Sequence, residues 1–177
     1  MAQRARLSTI ADGSTVGIVR AGSHMPVLLR VLRELQPHTV LEVGAGWYST
    51  PLLQAYSLSR GREHCILETN AEYGDAVSKL YGCHIQLFDG VTVPDNVKRP
   101  WGLVFIDHVQ DGRRIMALAM KDRAAVIVLH DSQPKHDRAY RYSTIIPKWK
   151  YHRQFTDVYP HTLMLTDSDE VWQVLGA

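Results

Sequence analysis

The sequence has 177 residues, of which 45% are hydrophobic and 21% are charged, values that are ordinary for one globular domain with a substantial core. The formal net charge is only +2 and no basic block stands out, which excludes an electrostatic argument for nucleic-acid binding. No apolar run reaches the roughly 18 residues of a membrane-spanning helix, and no signal peptide is recognisable. We therefore expect a cytoplasmic protein of a single domain, residues 1–177, that has no membrane partner.

The N-terminal part reads as an arm followed by a helix. Residues 1–23 have weak periodicity, and we expect an irregular arm with one short strand at 15–19. Ser23 is a suitable N-cap for the next element. A helix is predicted over 26–35, where apolar residues recur at helical spacing and form one stripe.

A strand, a glycine-containing turn and a helix follow one another over residues 39–56. The β-branched, apolar run at 39–43 predicts a buried parallel strand. Gly44, Ala45 and Gly46 then form a turn that allows close approach of a ligand, because neither glycine carries a Cβ. Ser49 and Thr50 are good N-caps, and Pro51 suits the first helical position. Free N–H groups at the start of this helix would face an anion.

Three further strands are predicted after this turn, each ending in or followed by an acidic residue. The strand at 64–68 ends in Glu68, and the strand at 84–88 is followed by Asp89. The run at 101–107 ends in Asp107. Helices are predicted between the strands, at 71–80 and 111–120. A fifth strand, 124–131, ends in His130 and Asp131.

This alternation of strands and helices predicts a doubly wound, mostly parallel α/β sheet. Ligands of such sheets bind beyond the carboxyl ends of the strands. Five acidic residues lie at or near those ends: Glu42, Glu68, Asp89, Asp107 and Asp131. We therefore expect the binding site at this edge of the sheet. Glu68 lies about 20 residues after the glycine turn, where an acid can accept hydrogen bonds from a ribose diol; the alternative is a solvated strand end.

The C-terminal part has a different pattern. Residues 133–141 are polar and charged, and we expect a surface excursion that acts as a mobile lid. Two β-rich runs, 151–158 and 161–166, are spaced as an antiparallel hairpin. Two cysteines, Cys65 and Cys83, lack C-x-x-C spacing, which predicts buried, reduced thiols and neither a disulfide nor a zinc site.

In these residues the chain resembles the class I S-adenosylmethionine-dependent methyltransferases. The turn Glu42-x-Gly44-x-Gly46 is similar to their first motif, although Tyr48 stands where a third glycine is common. The stretches 104–108 (Val-Phe-Ile-Asp-His) and 128–131 (Val-Leu-His-Asp) resemble those of small-molecule O-methyltransferases of the catechol type. The resemblance implies a single-domain, Rossmann-like sheet of seven strands with a C-terminal antiparallel hairpin, and S-adenosylmethionine as cofactor.

The resemblance also implies roles for individual residues. The cofactor would be held by the glycine turn and the acids around it: Glu42, Gly44, Ala45, Gly46, Ser49, Thr50, Glu68, Asp89 and Asp107. Within this set the turn holds the methionyl end, Glu68 the ribose and Asp89 the adenine amino group. A capped turn explains Asp89 equally well.

The resemblance raises the question of a metal. In metal-dependent relatives two strand-end aspartates and a following asparagine bind a divalent cation. Asp107 and Asp131 match the aspartates, but Ser132 replaces the asparagine, and serine is a weak ligand for a hard cation. We therefore expect no metal.

Catalysis at oxygen also needs a base. His108, His130 and Asp131 are the candidate catalytic residues. The two histidines are candidates for the base, because imidazole has a pKa of about 6.5 and can accept a proton at neutral pH. Either histidine can equally be a hydrogen-bonded strand-end residue. Arg113 and Arg114 either clamp an anionic substrate or are solvated helix charges, and we expect the latter.

The sequence thus favours S-adenosylmethionine-dependent methyl transfer to a small-molecule acceptor, at oxygen. Two alternatives stay open: an NAD-dependent oxidoreductase on a Rossmann-like fold, and a non-catalytic binding protein with the methyltransferase fold. The incomplete G-x-G-x-x-G pattern, with Ser49 in its last position, counts against NAD. A small molecule is the expected partner, and a homodimer is compatible with the sequence.

Overall fold

A computed structural model describes residues 22–176 of the chain. The predicted arm therefore lies outside the described residues except for Gly22 and Ser23, and so does the strand expected at 15–19. None of the helices in the described part is long and apolar enough to span a lipid bilayer.

Seven strands form one sheet in the order β3-β2-β1-β4-β5-β7-β6. Their bounds are β1 Thr39–Val43, β2 Glu63–Glu68, β3 Gln86–Leu87, β4 Trp101–Ile106, β5 Ala124–His130, β6 Tyr151–Phe155 and β7 Thr162–Thr166. The pairs from β3 to β5 are parallel. Strand β7 is antiparallel to both of its neighbours. The predicted mostly parallel seven-stranded sheet with a terminal antiparallel hairpin is confirmed.

Within residues 22–176, six α-helices accompany the sheet. Their bounds are α1 Met25–Glu34, α2 Ser49–Arg60, α3 Ala71–Tyr81, α4 Gln110–Met120, α5 Asp137–Tyr140 and α6 Asp169–Leu175. The predicted helices before β1 and between the parallel strands agree with α1 to α4 within a few residues. Helix α6 was not predicted.

The core has a large apolar cluster on each side of the sheet, as expected where side chains alternate along buried strands, and a smaller cluster around Ile66 and Val77. On one side α1, α2 and α6 pack against Val40, Phe105, Val128 and Met164. On the other side α4 packs against Leu41, Val104 and Leu129. Both cysteines are free; Cys83 is buried and Cys65 is half-buried.

One prediction about local structure is wrong. The predicted strand 84–88 is reduced to the two residues of β3, because β3 is an edge strand that pairs only with Leu67 and Glu68 of β2.

The segment 133–141 has more regular structure than the sequence indicates. It forms a 3₁₀ turn, Pro134–His136, and α5. Gln133 and Tyr140 are buried, at 3% and 9% exposure, whereas Pro134, Lys135, Arg138 and Arg141 are exposed. The segment lies at the surface, and its action as a mobile lid stays a prediction.

Candidate cofactor and acceptor site

The glycine turn after β1 lies directly against the end of β4. Gly44 has a φ of +96°, and a Cβ on it would lie 2.1 Å from the carbonyl oxygen of Asp107. Backbone hydrogen bonds fix the approach: Gly44 N–H donates to the Leu67 carbonyl at 2.8 Å, and Asp107 N–H donates to the Val43 carbonyl at 2.7 Å. Only glycine fits this position, because it combines a left-handed φ with a close backbone contact.

Thr50 and Glu42 support the turn from beneath. The Thr50 hydroxyl accepts from the Gly46 N–H at 2.9 Å and donates to Glu42 Oε1 at 3.0 Å. Glu42 is fully buried, and its second oxygen lies 3.0 Å from His64 Nε2. These contacts correct the expectation that the Glu42 carboxylate faces a ligand at the edge of the sheet. Glu42 is a buried residue that supports the turn.

Ser49 and Thr50 are also not caps, since α2 begins at Ser49 and both side chains are buried. Pro51 is accordingly the third residue of α2 and not the first. The N–H groups of this loop are less available than expected as well: that of Gly46 is taken by the Thr50 hydroxyl, and that of Ala45 by Glu68.

Glu68 joins the end of β2 to the same turn. It is 6% exposed, and its Oε2 accepts from the Ala45 N–H at 2.9 Å. Oε1 accepts from the N–H groups of Thr69 and Asn70 at 2.6 and 2.9 Å. A carboxylate oxygen has room for two acceptor contacts, so Oε2 keeps one for a ligand hydroxyl. Glu68 is therefore a fixed acceptor beside the glycine turn, and not a solvated strand end.

Asp89 forms a turn of its own. Its Oδ1 accepts from the N–H groups of Val91 and Thr92 at 2.9 and 2.6 Å, and its Oδ2 accepts from the Thr92 hydroxyl at 2.6 Å. These hydrogen bonds hold the pKa of Asp89 below its usual value. The capped-turn interpretation accounts for this exposed carboxylate.

Arg113 of α4 joins the two strand-end aspartates. Its Nη2 donates to Asp107 Oδ1 at 2.7 Å and contacts Asp131 Oδ2 at 3.4 Å. Its Nε donates to the His108 carbonyl at 2.6 Å, and its Nη1 donates to the His130 carbonyl at 3.0 Å. The guanidinium carbon lies 4.4 Å from the centre of the Tyr140 ring.

The expectation that Arg113 is a solvated helix charge is therefore wrong: the residue is only 6% exposed. Burial on its own would lower its pKa, but Asp107 and two nearby tyrosines outweigh burial and raise it. Arg113 is a buried permanent cation. Asp131 has a φ of +58° in this cluster, a conformation that aspartate tolerates better than most residues.

His130 is hydrogen-bonded at both ring nitrogens. Its Nδ1 lies 3.0 Å from Asp107 Oδ2, and its Nε2 lies 2.9 Å from the Ser23 hydroxyl. Burial alone would raise the pKa of Asp107, but the hydrogen bond from His130 and the charges of His130 and Arg113 lower it to about 2. Ser23 is thus not the expected helix cap. The N-cap position belongs to His24, and Ser23 is used in the site.

His24 packs beside His130 at the start of α1. The two ring centres are 4.7 Å apart, and the Phe105 ring is 4.9 Å from His24. His24 is 5% exposed, and neither of its ring nitrogens has a hydrogen-bond partner among the described residues. Burial, and then the charge of His130, lower the pKa of His24 to about 4, so the ring is neutral at neutral pH.

His108 occupies a different environment. Its ring packs against Phe88, with centres 5.5 Å apart, and under α4, where a Cβ on Gly112 would lie 2.3 Å from its Cε1. Burial, and then the charge of Arg113, lower the pKa of His108 to about 4. Of the two candidate bases, it is His130 whose ring is hydrogen-bonded to a carboxylate.

A cavity of about 230 Å³ lies between α1 and the β6–β7 hairpin. Its walls include Ser23, Val27, Arg30, Arg153, Phe155 and Thr162. Because Ser23 also contacts His130, the cavity adjoins the Asp107–His130 pair.

Solved structures share this architecture. An O-methyltransferase from Bacillus cereus in complex with SAH matches 84% of this chain and 83% of its own, with a TM-score of 0.60 and 17% identity. A putative caffeoyl-CoA O-methyltransferase from Staphylococcus aureus matches 84% and 85%, with a TM-score of 0.64 and 12% identity. The chain has the class I methyltransferase fold. The O-methyltransferase TomG from Streptomyces achromogenes, involved in tomaymycin synthesis and in complex with SAM, matches 82% and 79%, with a TM-score of 0.55 and 16% identity.

No family model and no curated protein sequence matches the chain. The resemblance noted in the sequence is therefore confirmed at the level of the fold, through structure. In this methyltransferase fold the glycine turn, Glu68, Asp107 and His130 all lie at the carboxyl ends of the parallel strands, where ligands of such sheets bind.

The resemblance to metal-dependent methyltransferases would place a divalent cation at Asp107, Asp131 and residue 132, and the residues present do not fit one. The Arg113 guanidinium contacts both carboxylates, and its positive charge repels a cation placed between them. Ser132 adds only a hydroxyl, which is buried without a partner among the described residues.

Three residues of this site were not assigned to it from the sequence: Ser23, His24 and Arg113. One signal was present for Arg113. A basic residue in the first turn of a helix opposes the helix dipole, and this one lies six residues after the strand-end aspartate Asp107, which is a reason to expect a specific partner.

Proposed function

We propose that the protein transfers a methyl group from S-adenosylmethionine to a hydroxyl group of a small molecule. One observation carries the proposal: on a methyltransferase fold, Glu68 is fixed beside the glycine turn by the Ala45 N–H, 2.9 Å from Oε2. This arrangement presents an acceptor for a ribose hydroxyl next to a loop that a ligand can approach closely.

The cofactor would lie along the ends of β1, β2 and β4. Gly44, Ala45 and Gly46 would contact its methionyl part, Glu68 its ribose and Asp107 the region of its sulfonium. When bound, the cofactor supplies an electrophilic methyl group on a positively charged sulfur. The carboxylates of Glu68 and Asp107 favour such a charge, and the rigid loop supplies the alignment on which an in-line displacement depends.

His130 would take the proton from the acceptor hydroxyl. When Nδ1–H donates to Asp107, Nε2 carries the lone pair of the ring, and this lone pair accepts from the Ser23 hydroxyl at 2.9 Å. An acceptor hydroxyl that replaces the Ser23 hydroxyl would donate its proton to Nε2. Asp107 would hold the ring and stabilise the imidazolium that forms, as carboxylates do in other aspartate–histidine pairs.

Arg113 would keep this pair in position without a metal. It holds Asp107 through Oδ1, which leaves Oδ2 directed to His130. We infer that the reaction needs no divalent cation, because the role of charge balance for Asp107 and Asp131 is filled by the guanidinium.

The acceptor would enter through the cavity between α1 and the hairpin. The volume of about 230 Å³ suits a small molecule, and Ser23 connects the cavity to His130. The similar proteins from Bacillus cereus and Streptomyces achromogenes carry the description O-methyltransferase, which agrees with an oxygen acceptor.

Calorimetry tests the proposal most directly. The full chain is titrated separately with S-adenosylmethionine, with its demethylated product and with NAD⁺. We expect binding of the first two and none of NAD⁺. Measurable affinity for NAD⁺ without affinity for either sulfur compound would refute the proposal and favour the oxidoreductase alternative.

A further inference from the structure

Three potential metal ligands from distant parts of the chain meet on the α1 side of the sheet. They are His24 at the start of α1, Asp107 after β4 and His130 at the end of β5. One donor atom from each lies within 4.8 Å of the others. Two imidazoles and one carboxylate are a donor set that zinc and other first-row transition metals favour.

His24 is the least explained member of the cluster. It is 5% exposed, and both ring nitrogens lack a hydrogen-bond partner in the described part of the chain. Leaving a buried polar group without a partner destabilises the folded state. A deprotonated imidazole has a lone pair available for a ligand, and no part of the proposed methyl transfer uses this ring.

The contact between His130 and Asp107 is also compatible with a shared ion. The 3.0 Å between Nδ1 and Oδ2 is close to the separation of two donors that each lie about 2.0–2.1 Å from one metal. In the tautomer that donates Nε2–H to Ser23, the Nδ1 lone pair faces the carboxylate. A cation bound to both atoms would remove the repulsion between them in that tautomer, whereas in the other tautomer an Nδ1–H hydrogen bond joins them.

The surroundings supply the outer hydrogen bonds that metal ligands require. Ligating histidines almost always donate their other ring N–H to a polar group, and ligating carboxylates are themselves hydrogen-bonded. Here the Ser23 hydroxyl is 2.9 Å from His130 Nε2, and Arg113 donates to the other oxygen of Asp107 at 2.7 Å. Arg113 therefore blocks a cation between Asp107 and Asp131 but leaves Asp107 Oδ2 open on the α1 side.

We propose that His24, Asp107 and His130 form a transition-metal site, with Zn²⁺ as the best-suited ion. Donors of a tetrahedral site are about 3.3 Å apart, so the His24 ring must move toward the other two donors on binding. Water would complete the coordination. This site shares Asp107 with the oxygen-only pair Asp107 and Asp131 but adds two imidazoles, and it selects against Mg²⁺, which prefers oxygen ligands.

The site has a consequence that rests on the proposed function. An ion on His130 Nδ1 and Asp107 removes the pair that would accept the proton of the acceptor. Metal binding and methyl transfer then exclude one another, and Zn²⁺ inhibits the enzyme. One tautomer of His130 serves as a base, and the other serves as a ligand.

The test measures metal binding to the full, chelator-stripped protein, independently of activity. Zn²⁺ is followed by calorimetry, and Co²⁺ by its visible absorption, which is intense only at low coordination number. We expect one ion per chain. His24→Phe, which keeps an aromatic ring, should weaken the binding of Zn²⁺ at least tenfold, whereas His84→Ala, at an exposed position, should leave that binding unchanged. Asp107→Asn is measured in parallel in case the His24 variant folds poorly.

The outcomes separate the two proposals. Absence of Zn²⁺ binding by the wild-type chain would overturn the metal site. The same holds if the His24 and Asp107 variants bind Zn²⁺ as tightly as the wild type does. Zn²⁺ binding that depends on His24, in a protein that fails to bind S-adenosylmethionine, would support the site and reject only the methyltransferase proposal. Zn²⁺ that binds through His24 and raises methyl transfer would contradict the inhibitory role.

Discussion

Replacing Arg113 by methionine tests whether this buried cation holds Asp107 and Asp131 together in the folded protein. The substitution keeps an unbranched apolar chain but removes the cation that contacts Asp107 and Asp131. Side-chain exposures are 7% for Arg113, 26% for Asp107 and 19% for Asp131. Breaking a buried ion pair on one side costs about 3–5 kcal/mol. Because the carboxylates are partly exposed, we expect a loss near the lower end, about 3 kcal/mol.

Reversible urea unfolding followed by circular dichroism measures this loss. For a two-state chain of this size, about 3 kcal/mol corresponds to a fall in Tm of roughly 6–12 °C. Arg114→Met is the matched control, since it makes the same change one residue further on, and we expect it within about 0.5 kcal/mol of the wild type. Adding Asp131→Asn to Arg113→Met should restore part of the loss. A stability of Arg113→Met equal to that of the control would refute the reasoning.

Three other predictions concern the cofactor loop and the metal. Glu68→Ala should weaken S-adenosylmethionine by on the order of 1.5–3 kcal/mol in calorimetry, while Glu72→Ala on the exposed side of α3 should not; equal affinities would make Glu68 a spectator. Thr50→Val removes the acceptor of the Gly46 N–H and the donor to Glu42. It should lower the free energy of unfolding, measured with urea, by about 1–3 kcal/mol, and it should also weaken cofactor binding; an unchanged unfolding midpoint would contradict this. Methyl transfer should survive exhaustive chelation and gain nothing from Mg²⁺; loss on chelation with recovery on adding Mg²⁺ would overturn the role given to Arg113.

The parallel strands β1, β2, β4 and β5 were predictable because each combines a run of apolar residues with an acid at or near the strand end. Buried parallel strands such as β1 and β4 leave little choice of sequence. The edge strand β3 was less predictable, since its two residues pair with only one neighbour and need no apolar run.

The site was predicted less completely than the fold. The positions of Glu68, Asp107 and His130 follow from strand ends, which a pattern reveals. The inward direction of Glu42 does not, because an acid inside a strand is identified as buried only when its partners Thr50 and His64 are known. Arg113 was misjudged for the same reason: the sequence shows its charge but not the carboxylates and carbonyls that enclose it.

Three consecutive residues at the beginning of the described chain reach three separate parts of the site. A Cβ on Gly22 would lie 3.1 Å from the Tyr48 ring of the glycine loop, Ser23 contacts His130, and His24 packs on Phe105. The boundary chosen for a shortened protein therefore has a chemical effect. A chain that starts at Met25 retains every described strand and helix, yet it lacks the hydroxyl on His130 and the neighbouring imidazole, so a normal circular dichroism spectrum would be no evidence of an intact site.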